Sequence, residues 1–197
     1  MTPEEYRAFE AASPVRHEYV GGRVYAMSGV RRAHSRISGN VFGHLWAATL
    51  DGACRMHQGE VKLQIGDVYY YPDVMVACGP EPEDEYVEDA PCLVVEVLSA
   101  STRRTDLTEK ADAYARVPSV GLYLAVDQRR RIVHVHRRDG TGGWRVEMLV
   151  GQGAVALPCP EITLTLDEIY RGLGLPAVPP RRVRERAATY AAEQGGR

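Results

Sequence analysis

Hydrophobic and polar positions change period several times along this chain, and each change predicts an element. Ile37, Val41, Leu45 and Thr49 recur four apart within residues 33–50, with Phe42 and Trp46 beside them. That is the stripe of an amphipathic helix lying on a sheet. An earlier helix is predicted to start at Thr2-Pro3-Glu4-Glu5. Thr2 caps it, Pro3 suits the first position, and Glu5 completes a capping box. Ser13-Pro14 stops it near Ala12. Between the two helices, residues 17–20 and 23–27 flank Gly21-Gly22 and predict a tight hairpin.

Further strands are predicted at 55–58, 61–65 and 68–73. Residues 74–77 and 93–98 are Val-rich apolar runs, the pattern of strands buried on both faces. The link between them, 79–91, holds three prolines and six acids and reads as a solvated loop. A polar stretch at 99–105 leads to a helix over 106–116, ended by Pro118. Residues 121–127 and 131–138 alternate as strands around a turn at 128–130, and 144–150 and 154–157 complete a β-rich edge. A short helix is expected at 166–173. The fold class is α/β in the wider sense (α+β), a central mixed sheet flanked by helices. One domain covers 1–175. Residues 176–180 form a Pro linker, and 181–194 a charged tail helix.

Composition narrows the classes. At 197 residues the chain is long enough for one sizeable core. A net charge of −2 argues against a protein that coats nucleic acid through charge alone, while leaving room for a local basic groove. No signal peptide or membrane-length apolar run is visible, so a cytoplasmic protein is expected. Cys54, Cys78, Cys92 and Cys159 show no CxxC spacing. They are expected to be reduced, with no zinc site.

The unusual feature is a pair of acids in the two apolar runs. Asp73 opens the first and Glu96 lies inside the second. A charge there is costly unless it is paired or holds a metal. Asp106, Lys110 and Tyr114 follow at i, i+4 spacing on one helix face. A surface ion pair beside a half-buried tyrosine is the plainer reading of that triplet. Lys62 alternates with apolar neighbours and is a second candidate lysine. Tyr69, Tyr70 and Tyr71 offer either stacking surface for bases or ordinary strand aromatics. Arg103 and Arg104 offer a phosphate contact ahead of the helix. His34 reads as a capping or surface histidine. His134 and His136 share a strand face, without an evident third ligand.

Glu18-Tyr19-Val20-Gly21-Gly22, Tyr71-Pro72-Asp73-Val74, Val95 to Thr102, Asp106 to Lys110 and Tyr114 together resemble the PD-(D/E)XK nuclease superfamily. Within it they resemble the Uma-two type restriction-endonuclease family, over about residues 2 to 173. The resemblance implies a restriction-endonuclease-like core and metal-dependent hydrolysis of DNA. Asp73 and Glu96 would be catalytic and hold Mg2+ or Mn2+, with the Val97 carbonyl as a further ligand and Glu18 as an extra carboxylate. One position departs from the pattern: the lysine expected two residues after the glutamate is Leu98. Lys110 is the candidate to replace it. DNA is the expected partner, and a homodimer is expected through the exposed edge at 131–150. Two other classes stay open: a nuclease-fold binding module or dimeric scaffold without activity, and an enzyme acting on RNA.

Overall fold

A computed structural model describes residues 1–50, 52–176, 178 and 186–188. α1 (Pro3–Ala12) carries the expected capping box between Thr2 and Glu5. β1 (His17–Val20) and β2 (Arg23–Ala26) form the hairpin, turning through Gly21 and Gly22 at φ 56° and 81°. These left-handed values explain the paired glycines. α2 (Arg32–Thr49) buries Ile37, Val41, Leu45 and Thr49, while Trp46 on its other side is 51% exposed.

β3 (Arg55–His57), β4 (Lys62–Ile65), β5 (Val68–Tyr70) and β6 (Val74–Ala77) follow. The strand expected to run unbroken from Val68 to Asp73 ends at Tyr70. The chain then crosses from one sheet to another through Tyr71, Pro72 and Asp73. Pro72 has no N–H to donate to a ladder, which suits it to the crossing. The acidic loop is not wholly solvated: Val87 and Glu88 form β7 (Val87–Glu88) beside β4. Glu88 is buried and paired with Arg55 at 2.9 Å.

β8 (Leu93–Leu98) is buried throughout. The next helix is continuous from Arg103 to Ala115 but has three parts: α3 (Arg103–Thr105), a π-helical turn Asp106–Lys110, and α4 (Ala111–Ala115). β9 (Leu122–Asp127), β10 (Ile132–Arg138), β11 (Trp144–Val150), β12 (Ala154–Ala156) and β13 (Thr163–Thr165) come next. α5 (Leu166–Ile169) starts from a capping box between Thr165 and Glu168 and is shorter than expected. β14 (Arg186–Ala188) lies where a tail helix was expected. The remainder of 181–194 is outside the described residues.

Among the described residues the strands form three sheets. One has the order β2-β1-β5-β4-β7, one β14-β11-β10-β9-β8-β6-β3, and β12 pairs with β13 alone. The large sheet is mixed: β8 and β9 are parallel, and its other pairs are antiparallel. α2, the β12–β13 hairpin and α5 cover one face, through Ile37, Val41, Leu45, Val155, Leu164 and Ile169. The 103–115 helix covers the other face, meeting Leu63 and Tyr70 of the smaller sheet. The edge expected to seat a second copy is partly occupied. β10 lies inside the sheet, and β14 pairs with β11 at Trp144, Arg145 and Val146. No described helix is long and apolar enough to cross a membrane.

The cysteines are not reduced in this structure. Cys54 is bonded to Cys78, and Cys92 to Cys159. The pairing is a matter of register. Arg55 lies opposite Ala77 and Leu93 opposite Val76, so Cys54, Cys78 and Cys92 all fall at one end of three neighbouring strands. Linear spacing does not reveal such a meeting.

Leu124 is fully buried in the core under α2. Leu124→Ala is predicted to cost about 2–5 kcal/mol through lost burial and a cavity, read as a lower urea midpoint at unchanged slope.

Candidate metal and phosphate site

The site is assembled from both sheets and one helix. Val74 lies opposite Val95 across β6 and β8. Extending that register by one residue sets Asp73 opposite Glu96, and such pairs share a face. It is the face of Met75, Val94 and Leu98, turned toward the 103–115 helix. Glu18 arrives from β1 and Lys110 from the π turn. Side chains four apart share one helix face, and the π turn keeps Asp106 and Lys110 on it. Asp106 and Lys110 therefore reach the same point.

Lys110 is the hub. Its Nζ donates to Glu18 Oε1 at 2.7 Å and Glu96 Oε1 at 2.9 Å, and lies 3.7 Å from Asp106 Oδ1. Tyr114 O–H donates to the same Glu96 oxygen at 2.6 Å. Asp73 Oδ2 accepts the Val97 N–H at 2.6 Å and lies 3.1 Å from His34 Nε2. Glu18 Oε1 also accepts the Tyr71 N–H at 3.4 Å, so the crossing segment is tied to the acid on β1.

Three carboxylates thus surround one ammonium, with Asp73 beside them on the same cavity, and most of the cluster is buried. Burial pushes Glu96, 4% exposed, up to about 8; Lys110 pulls against this, and Asp106, Asp73 and Glu18 reinforce it. Asp106 is also raised, first by burial, with Lys110 again opposing. Burial alone would lower Lys110. Glu96, Glu18 and Asp106 outweigh it and hold the ammonium well above its ordinary value. Burial, then the Glu96 charge, pushes the Tyr114 phenol well above its usual range, so it remains a proton donor. Asp106 Oδ1 is buried without a hydrogen-bond partner.

This donor set suits a hard divalent cation. It consists of carboxylate oxygens with excess negative charge and one unsatisfied buried oxygen. The acids do not, however, bring three oxygens within 4.8 Å of one another. Lys110 stands among three of them.

Glu18, Asp73, Glu96, Asp106 and Lys110 line a cavity of about 570 Å³. The Ser99, Ser101 and Thr102 hydroxyls line it too. A second cavity of about 830 Å³ adjoins it, sharing His34, Tyr71 and Asp73, and is lined by Arg7, Arg16 and Lys62 together with Glu10, Glu60 and Asp84. Asp73 lies where the two meet.

The sequence profile of the Uma2 family, described as "Putative restriction endonuclease", matches residues 3–167. The chain belongs to this family. The Uma2 match spans every site residue named above. A relative in Synechocystis sp., "Uncharacterized protein slr1290", is 34% identical over 177 residues, covering 88% of this chain and 93% of its own. A solved structure from Anabaena variabilis, a "putative nuclease belonging to DUF820", has a TM-score of 0.70 at 18% identity. The match covers 86% of this chain and 97% of that one, and it shows that the two share a fold.

Against the superfamily pattern, Leu98 has a physical account. It is 2% exposed and packs with Tyr70, Tyr114 and Val117, so a lysine there would enter an apolar core. The ammonium beside Glu96 is that of Lys110. The triplet of Asp106, Lys110 and Tyr114 is not a surface pair, since all three are buried. Lys62 does not join the acids; its Nζ lies 5.7 Å over the Tyr86 ring. Arg103 donates to Asp127 at 2.6 Å, Arg104 is exposed, and neither lines the cavity.

Tyr69, Tyr70 and Tyr71 are buried and offer no free face for bases. His134 and His136 are both lowered by burial, and neither belongs to a metal-capable group among the described residues. His34 is the residue that sequence reasoning misplaced. It is 7% exposed and faces Asp73. Its position three before Ile37, on the buried stripe of α2, was the available signal. Asp106 was recognised on the lysine's face but not as part of the acid cluster.

Two predictions come from the buried charges. Lys110→Ala leaves its acids unneutralised and is predicted to destabilise the metal-free protein by about 3–5 kcal/mol, measured by denaturant unfolding at neutral pH. Glu96 has a folded pKa raised from 4.5 to about 8, so the native state binds the extra proton within that window. Stability is then present at low pH and lost as pH rises. Melts in chelator should show wild type losing stability relative to Glu96→Gln between those pH values. Parallel curves would show that burial of the Glu96 charge carries no such cost.

Proposed function

We propose that the protein is a metal-dependent endonuclease that hydrolyses DNA phosphodiesters at the Asp73, Glu96 and Lys110 centre. The observation that carries this reading is the opposition of Asp73 and Glu96 across β6 and β8, with Lys110 delivered to Glu96 by the helix. Asp73 and Glu96 are the residues to hold Mg2+ or Mn2+, with the Val97 carbonyl and Glu18 as further oxygens. A bound cation would supply an activated water and neutralise charge on the phosphate.

The chain's own groups do the remaining work. The Val97 N–H fixes the Asp73 carboxylate. Tyr114 and Lys110 fix Glu96. Lys110, held firmly as a cation, faces the phosphate and stabilises the charge that develops there. Arg7, Arg16 and Lys62 on the adjoining groove would contact the flanking backbone, among the acids Glu10, Glu60 and Asp84 that line it too. Cutting both strands of a duplex requires two such centres, so a homodimer belongs to this reading.

A second reading rests on the closed ion network. Lys110 already neutralises Glu96 and Glu18 without a metal, which suits a nuclease-fold module that binds nucleic acid, or a dimeric scaffold, and cuts nothing.

Purified protein incubated with supercoiled plasmid and Mg2+ or Mn2+ should nick or linearise it, and Asp73→Asn, Glu96→Gln and Lys110→Met should each abolish cleavage. RNA of matched length, run beside it, decides the substrate. Metal binding has its own readout: Mg2+ at 100 times its dissociation constant should stabilise wild type by about 2.7 kcal/mol, and Asp73→Asn should cancel most of that gain. Stabilisation without cleavage of either substrate favours the binding module. No stabilisation by Mg2+ or Mn2+ removes the metal from the account.

A further inference from the structure

The four cysteines meet at the end of the large sheet remote from the carboxylates. Asp73 precedes β6 and Cys78 follows it, so the two clusters are separated by roughly 17 Å of extended chain. Three sulfurs, those of Cys78, Cys92 and Cys159, lie within 4.8 Å of one another, and the fourth, Cys54, is bonded to Cys78. Cys78 and Cys92 belong to different disulfides, yet their sulfurs are 3.5 Å apart. Two disulfides side by side account for the bonds. They do not require sulfurs of separate pairs to be in contact.

We propose that the reduced cluster is a tetrathiolate site for Zn2+. A zinc ion bound by four thiolates has bonds of about 2.3 Å in a tetrahedron, which sets the sulfurs about 3.8 Å apart. The contact between the two pairs is of that size, and Cys54, outside the group of three, is the ligand that has to turn in once its bond to Cys78 opens. The ligands come from four rigid places. Cys54 leads into β3, Cys78 follows β6, and Cys92 precedes β8. Cys159 sits in a tight turn closed by the Leu157 N–H bond to Ile162 O at 2.8 Å.

The backbone around the ligands is held by bonds of its own. The Cys92 N–H donates to Val76 O at 2.8 Å, and its carbonyl accepts from Gly121 N at 3.0 Å. Arg55 donates to Gly79 O at 2.6 Å and Pro80 O at 3.1 Å, fixing the chain just past Cys78. Four soft sulfurs and no oxygen or nitrogen ligand select zinc over the hard cations suited to Asp73 and Glu96.

The conversion balances. Each disulfide takes two electrons and two protons from two small-molecule thiols, which leave as one disulfide. The four cysteine thiols then release four protons as one Zn2+ binds. The ion would clamp β3, β6 and β8 to the 157–162 turn. With all four positions filled by protein it is structural.

The test uses the full chain, reduced anaerobically with a phosphine and titrated first with Co2+, then with Zn2+. The expected result is one equivalent of Co2+ giving an intense thiolate-to-cobalt charge-transfer band and tetrahedral d–d absorption, both bleached by one equivalent of Zn2+. The signal should survive Asp73→Asn, which separates this site from the carboxylate centre, and vanish in Cys78→Ser. Cys78 is exposed, so that change leaves the core packing intact. The wild-type spectrum decides even if the variant fails to fold. A folded protein in which no thiol appears under reductant overturns the proposal, because the cysteines are then structural disulfides only. So does Co2+ bound without a thiolate band, or a band unchanged in Cys78→Ser.

Discussion

The ammonium of Lys110 sits among Glu96, Glu18 and Asp106 where water is largely excluded, and it is 5% exposed. Remove it, and acids are left facing one another in a medium that magnifies their repulsion. Three elements depend on this contact. β1 contributes Glu18, β8 contributes Glu96, and the 103–115 helix contributes Lys110 and Asp106. The network therefore joins the smaller sheet to the larger one as well as forming the candidate centre. An isolated ion pair of this kind is seldom a gain in stability over an apolar pair. Its presence in a core otherwise filled by Val, Leu and Tyr fits the charged site proposed above.

The strand arrangement brings these residues together. A chain passing from β5 to β6 must leave one sheet and enter another, and Tyr71, Pro72 and Asp73 make the step. Asp73 is then the first residue beside β8, where the Val97 N–H and His34 receive it. The helix does the same through four-residue spacing, which sets Asp106 beside Lys110. Apolar packing surrounds both devices: Leu98, Tyr70 and Tyr114 close the site from below. Leu98 is an apolar core position, and the charge beside Glu96 comes from Lys110 on a neighbouring helix.

Much of this was legible in the sequence because it follows from local rules. The capped first helix, the Gly21-Gly22 hairpin, the stripe on α2 and the two Val-rich strands depend on periodicity and turn chemistry, and the structure has them. Asp73 and Glu96 stood out as acids in apolar runs, Glu18 and Lys110 entered through the family resemblance, and all four line one cavity. What sequence did not show depends on pairing between distant segments. The break between β5 and β6, the pairing of Val87 and Glu88 with β4, and the strand at Arg186–Ala188 are tertiary choices that propensity does not determine. The meeting of four cysteines is of the same kind. His34 is a different case, since its place on the buried stripe of α2 was visible and was set aside for a commoner role.

We propose that these buried acids form one divalent-cation site in which Lys110 stands in for the missing strand lysine. Anomalous scattering from crystals soaked in Mn2+ tests it most directly. The account predicts a single strong peak bounded by Asp73 and Glu96, with the Lys110 ammonium displaced from at least one of its present carboxylate partners. A saturated crystal with no manganese there, and Lys110 still bonded to Glu18 and Glu96, would contradict it.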